Sequence, residues 1–319
     1  MARLITFLSS AILLSIACET VEGQAYCALR DPTRQIHQIF PEATSHRSIV
    51  RTVDKTARAA TLEKLPVPIY FSELGRHTLY VAMKGKTPLG YVHVRSERSD
   101  WGLMEVAWGL NLNLEIVDYR FQRCRSPLEE QFESDAFRAQ LQGKSLTTLG
   151  ALLDAEGQLR PKLLRVPAKG SALATKLIHC ALKTIVVTET TWARDLDELQ
   201  RQAQAIGAFP SAASIEAIPG EWSTEIEIEG VVSGFRVLDS KGNVLGWLAE
   251  WSSTSLGRVW WCLGESAEVR SVDCRGGWPD ESTEQSFLTT STAEECVGPA
   301  RLILDEIIAW LEPELAASR

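Results

Sequence analysis

The sequence predicts an α+β protein built as two tandem modules. Each is an antiparallel sheet flanked by an N-terminal and a C-terminal helix. Three observations predict this. The order of helix, strand and turn signals in the first half returns in the second. In both halves, runs rich in β-branched and aromatic residues meet at Gly-containing turns. Both halves close on a segment with helical apolar periodicity.

The first module opens on Leu29 to Ala43. Asp31 can cap a helix, Pro32 suits its first turn and Pro41 ends it. Strands are predicted at Thr78–Ala82 and Leu89–Val94, with a turn at Lys84-Gly85-Lys86. A second pair covers Glu105–Leu110 and Leu114–Phe121. The closing helix covers Ala174–Ile185. The second module repeats the plan. Asp195 opens a helix that stops near Phe209-Pro210. Strands follow at Phe235–Leu238 and Leu245–Ala249 around Ser240-Lys241-Gly242-Asn243, then at Arg258–Gly264 and Glu268–Cys274. Gly298 to Trp310 closes it. The modules divide the chain into 26–190 and 191–319, with the boundary between Thr188 and Ala193. They differ in one connection: about fifty residues, Gln122 to Leu173, join the last strand to the last helix in the first module, against about twenty, Arg275 to Val297, in the second. Long loops on a scaffold carry function more often than cores do, so the first module is read as the working one.

Residues 1–25 read as a signal peptide. Arg3 supplies the positive start, and Leu4 to Ala17 are almost wholly apolar but too short to span a bilayer. Two exits fit: a lipobox-like Ser15-Ile16-Ala17 before Cys18, or the small-x-small Gly23-Gln24-Ala25 before Tyr26. The expected location is outside the cytoplasm, periplasmic or tethered by a lipid on Cys18, with that lipid the only membrane contact. No later run is expected to cross a membrane. With Cys18 lipidated or removed, six of the seven Cys stand in an oxidising compartment, either as buried thiols or as one or two disulfides, for example Cys262 with Cys274 on adjacent strands.

At 45% apolar and 23% charged, the 319-residue chain is neither disordered nor fibrous. Its formal charge of −8 and lack of a cationic block argue against a nucleic-acid partner. The motifs of serine hydrolases, zinc proteases, P-loops and dinucleotide folds are absent, and the five His are not spaced as metal ligands. No catalytic residue and no metal site is assigned. Asp118 and Asp273 hold matching strand positions, which suggests a shared structural bond.

The "IFPEA" helix exit, the "IVDYRF" strand and the "F…LQGKS" segment resemble the FMN-binding domain of the flavin subunits of Rnf-type and sodium-pumping electron-transport complexes and of NosR-like regulators. The resemblance covers most of Ala28 to Val187, with a weaker, shortened copy over Ala193 to Leu311. Pro127 and Leu128 match the family's Pro-Gly-Leu-Gly, both of whose glycines are missing here; Phe137, Leu141, Gly143, Lys144 and Ser145 match its Gly-Lys-Ser helix end. The resemblance implies an FMN phosphate at the start of the closing helix. Its Ser/Thr-Gly-Ala-Thr appears as Ser171-Ala172-Leu173-Ala174-Thr175, with Leu173 in place of Gly and Ala300 at the corresponding place in the second module. Thr175 is then the candidate for a covalent phosphoester, and noncovalent binding is the favoured alternative. A helix N-terminus favours an anion in its own right, and Lys169, Gly170 and Ser171 add a charge, close backbone approach and a donor. Trp101, Trp108 and Tyr119 are candidates for a wall against the flavin ring. The expected function is electron transfer with an unidentified redox partner protein. The rivals are a non-redox binding or scaffold protein that kept the fold and lost the flavin, and an FMN-dependent reductase.

Overall fold

The computed structural model describes residues 31–65, 67–70, 73–160, 162–220, 222–224, 230–253, 257–275 and 299–317. The signal segment, both cleavage sites, Cys18, Cys27, Cys296 and most of the Arg275–Val297 connection lie outside the described residues.

The protein is α+β, with two antiparallel sheets. Helix α1 (Thr33–Ile39) starts where Asp31 accepts the Thr33 backbone N–H at 2.7 Å. It ends because Phe40, preceding Pro41, is forced out of the helical region, at φ −119° and ψ 79°. Strand β1 (Ser45–Val53) and helix α2 (Lys55–Lys64), capped by Asp54, come next and were not expected. Their polar sequences hide them: β1 is an edge strand with mostly exposed side chains. Strands β2 (Gly75–Lys84), β3 (Thr87–Ser99), β4 (Gly102–Leu110) and β5 (Ile116–Arg123) then complete a meander in chain order. The long connection carries three short helices, α3 (Glu129–Phe132), α4 (Asp135–Arg138) and α5 (Leu146–Gly150).

Helix α6 (Ser171–Thr191) lies across the first sheet, chiefly over β3. By length and composition it could cross a membrane, against the expectation that no later segment would. Most of it is buried, with Leu177, Ile178, Leu182 and Ile185 in one core with Leu79, Val81, Val106 and Trp108. On the opposite face Ile36, Ile39 and Phe40 cover Ala82, Val92, Val94 and Ala107. Trp192 joins α6 directly to α7 (Ala193–Ala208) and is itself buried, its indole N–H donating to the Ile49 carbonyl at 3.1 Å.

The second sheet contains β6 (Ser214–Ala217), β7 (Trp222–Thr224), β8 (Gly230–Leu238), β9 (Val244–Ser253), β10 (Gly257–Leu263) and β11 (Val269–Arg275), in the order β11-β10-β9-β8-β6 with β7 also paired to β8. The end of α7, with Ala205 and Phe209, packs on Val237, Leu248 and Trp260. Helix α8 (Pro299–Ala317) packs Ile303, Ile307 and Leu311 on the other face with Trp247, Trp251 and Trp261. Cys262 and Cys274 do not form the bridge considered above; both are free thiols. The register pairs Cys262 with Ser271 and Cys274 with Val259. The two thiols belong to different cores, because side chains alternate across a sheet.

Local geometry recurs between the sheets at three places. A Cβ on Gly90 would lie 2.3 Å from the Leu110 carbonyl and 2.7 Å from the Phe40 ring. On Gly246 it would lie 2.3 Å from the Leu263 carbonyl and 2.4 Å from the Phe209 ring. The turn from Asn111 to Glu115 places Leu114 at φ 63°, and that from Gly264 to Glu268 places Ala267 at φ 64°; each is closed by backbone bonds of 2.9 and 3.0 Å. Asp118 accepts the next backbone N–H at 2.8 Å and Asp273 does so at 2.9 Å, the shared structural bond anticipated for them.

Candidate functional site

Helix α6 begins without a side-chain cap. Gly170 is its N-cap, at φ −91° and ψ 0°, and Lys169 before it adopts φ 63°. Lys169 and Ser171 are exposed. The first helical bond runs from Ala174 N–H to Gly170 O, so the N–H groups of the first turn precede the ladder and carry the partial positive charge of the helix end. Gly170 is required for packing: a Cβ there would meet Pro167 O at 2.9 Å and the Phe132 ring at 3.0 Å. Phe132 thereby ties α3 to the start of α6; Leu128 is the N-cap of α3 and packs, partly buried, against the main core. Lys144 and Ser145 stand elsewhere on the connection. The Lys144 carbonyl accepts from Ile116 N–H at 3.0 Å, and Ser145 caps α5 in a reciprocal box with Thr148.

Three expected contacts face the core instead. Ala174 and Thr175 are buried. The Thr175 hydroxyl donates to Ser171 O at 3.0 Å and accepts from Leu159 N–H at 3.4 Å, so this geometry does not offer it as a covalent acceptor. Trp108 is fully buried, 4.9 Å from the Tyr119 ring, with its indole N–H on the Cys180 sulfur at 3.4 Å. Burial pushes the Cys180 thiol up to about 12. Trp108 and Tyr119 are therefore sheet core, as strand alternation toward α6 requires, and form no open wall. Trp101, at the β3–β4 turn, is 53% exposed.

A polar cluster that sequence reasoning did not single out lies where the first sheet splits. The β2–β3 ladder stops at Leu79 and His93, while β3 continues with β4 as far as Ser99. The gap between β2 and the free part of β3 admits Glu73, His77, Arg95 and Glu97 beneath Lys183 of α6. All five are buried. Lys183 Nζ lies 3.2 Å from both Glu73 carboxylate oxygens and 2.8 Å from Glu97 Oε2. Arg95 donates to Glu73 at 3.1 Å. Two cations face two carboxylates, so the cluster is neutral as a whole. Arg95 Nε and Nη1 nevertheless have no partner among the described residues. A cavity of about 480 Å³ adjoins the cluster, lined among others by Tyr70, Glu73, Glu97, Asp100, Leu103 and Lys176.

Two histidines complete the gap. His77 Nε2 lies 3.0 Å from the Glu73 carbonyl, which can only accept. His77 Nε2 therefore carries the proton, its Nδ1 accepts from His93 Nε2 at 3.4 Å, and His93 Nδ1 accepts from the Thr188 hydroxyl at 2.8 Å. Burial, then the positive charge of Arg95, pushes His77 down to about 3. Burial holds His93 well below its ordinary value as well. Both rings are neutral pins between the sheet and α6.

Sequence could have flagged this cluster. Counted from Gly90, the positions three, five and seven residues on are His93, Arg95 and Glu97. Counted from Gly246 they are Ala249, Trp251 and Ser253. The second sheet fills this ground with a buried Trp. Comparison with protein-family models matched none to this chain, and comparison with curated proteins found no relative.

Proposed function

We propose that the chain is an exported protein that binds FMN noncovalently on its first unit and acts in electron transfer, and that it is a tandem duplication whose second unit is a shortened copy without flavin. The observation that carries the flavin reading is the start of α6. An uncapped 21-residue helix, a left-handed Lys169 and an exposed Ser171 suit a phosphate. The flanking of each sheet by an opening and a closing helix, and the three recurring geometries, support the duplication. The inward Thr175 hydroxyl favours noncovalent attachment. The flavin would supply the redox chemistry; the chain's own residues would hold its phosphate and fix its position.

A second reading is a non-redox binding protein that retains the fold. The burial of Trp108 and the packing of Phe132 against Gly170 favour it. An absorption spectrum of the purified mature protein separates the two. The flavin reading expects flavin bands, or uptake of added FMN weakened by Lys169→Glu. It also expects release of the flavin on denaturation and an intact mass without an FMN adduct. A colourless protein that takes up no FMN overturns it in favour of the second reading.

A further inference from the structure

We infer that the cavity at the split of the first sheet is a binding site for a free α-amino acid with an apolar or aromatic side chain, taken as its zwitterion. The first argument is placement. Buried charges rarely stabilise a fold relative to apolar residues of similar volume, and the second sheet manages the same region with Trp251 and Ser253. The charges of the first unit are dispensable for its architecture and are suited to a ligand. The second argument is the chemistry left open at the wall. Glu97 uses Oε2 on Lys183, while Oε1 has no partner among the described residues. Asp100, which also lines the cavity, likewise has no ion-pair partner among the described residues. These carboxylates match an ammonium group. Lys176, also without an ion-pair partner among the described residues, matches a carboxylate. Leu103 and the Tyr70 ring, which is 56% exposed, line the same cavity. Lys183 Nζ sits over that ring, 5.2 Å from its centroid, which ties the ring to the buried ion cluster. The volume suits a small ligand. A ligand carrying both charges pairs with these carboxylates and with the cations Lys176 and Arg98 that line the cavity, while a ligand carrying one pairs with one set alone.

The inference is independent of flavin, and its test uses the full mature chain without FMN. Calorimetric titration with L-phenylalanine and L-leucine is compared with phenethylamine and 3-phenylpropionate, each lacking one charge. The expected result is binding of the amino acids, with each single-charge analogue weaker by about tenfold or more. Lys176→Met and Tyr70→Ala, both at the surface, should weaken L-phenylalanine by a similar factor with an unchanged circular dichroism spectrum. Glu97→Gln should do the same if it folds; if it does not, the two surface variants decide. No heat at millimolar amino acid, equal affinity for the single-charge analogues, or binding indifferent to Lys176→Met and Tyr70→Ala would each overturn the inference.

Discussion

Replacing Lys183 by Met tests whether the four charges act as one buried, mutually compensating network. Lys183 is 2% exposed and contacts both Glu73 and Glu97. Met keeps the length of the stem and removes only the charge. Two buried carboxylates would then share Arg95 alone, whose contact is to Glu73. Removing one partner from a buried pair costs about 3–5 kcal/mol, because the remaining charge is left uncompensated. With a urea slope of about 3 kcal/mol/M for a chain of this size, the midpoint should fall by roughly 1–2 M. Urea titration followed by far-ultraviolet circular dichroism measures it. The complementary variant, Glu73→Leu with Arg95→Met, Glu97→Leu and Lys183→Met, removes all four charges and should recover most of the loss. Apolar replacement of a whole buried network is neutral or stabilising by about 1–4 kcal/mol. A midpoint for Lys183→Met within about 0.3 M of wild type would mean that the cluster is solvated, and a quadruple variant no better than the single one would refute the argument that these charges are dispensable for folding.

Gly90→Ala and Gly246→Ala should each destabilise their own sheet by about 3 kcal/mol in the same titration, since the new methyl meets a backbone carbonyl that cannot yield. Thr175→Ala should cost about 1 kcal/mol through its two lost hydrogen bonds and leave the flavin content of the protein unchanged. His77 titrates near 6.5 when unfolded but is held down to about 3 when folded, so the unfolded chain binds the extra proton between those values. Stability should fall as pH drops from 6.5 toward 3, and His77→Asn should flatten that slope in urea midpoints measured across the range. Peptide-mapped maleimide labelling should find Cys124 reactive in the native protein and Cys180, Cys262 and Cys274 reactive only after unfolding, since of these four described thiols Cys124 alone is partly exposed. A native-state label on Cys262, whose thiol burial pushes up to about 11, would contradict the packing described.

Strand pairs with alternating apolar residues were legible residue by residue. The stretches around Thr78–Ala82, Leu89–Val94, Leu245–Ala249 and Arg258–Leu263 all lie in strands, and the turns at Gly85 and Gly242 sit between them. Strand β1 and helix α2 were not legible, because an edge strand and a surface helix carry too few buried side chains to leave a periodic mark. Whether Trp108 lines a ligand site or the core was not legible for a related reason: sequence marks it as strand and aromatic but not which face of the sheet it occupies.

The α+β character, the strands flanking Gly85 and Gly242 and the end of α1 were determined by local chemistry: side-chain period, the freedom of Gly at tight approaches, and the inability of the residue before Pro to stay helical. The early end of the β2–β3 ladder was decided only by tertiary structure. That divergence brings Glu73, Arg95, Glu97 and Lys183 together from a loop, a strand and a helix far apart in the chain. No local rule relates such residues, since their attraction exists only once the gap that buries them has formed.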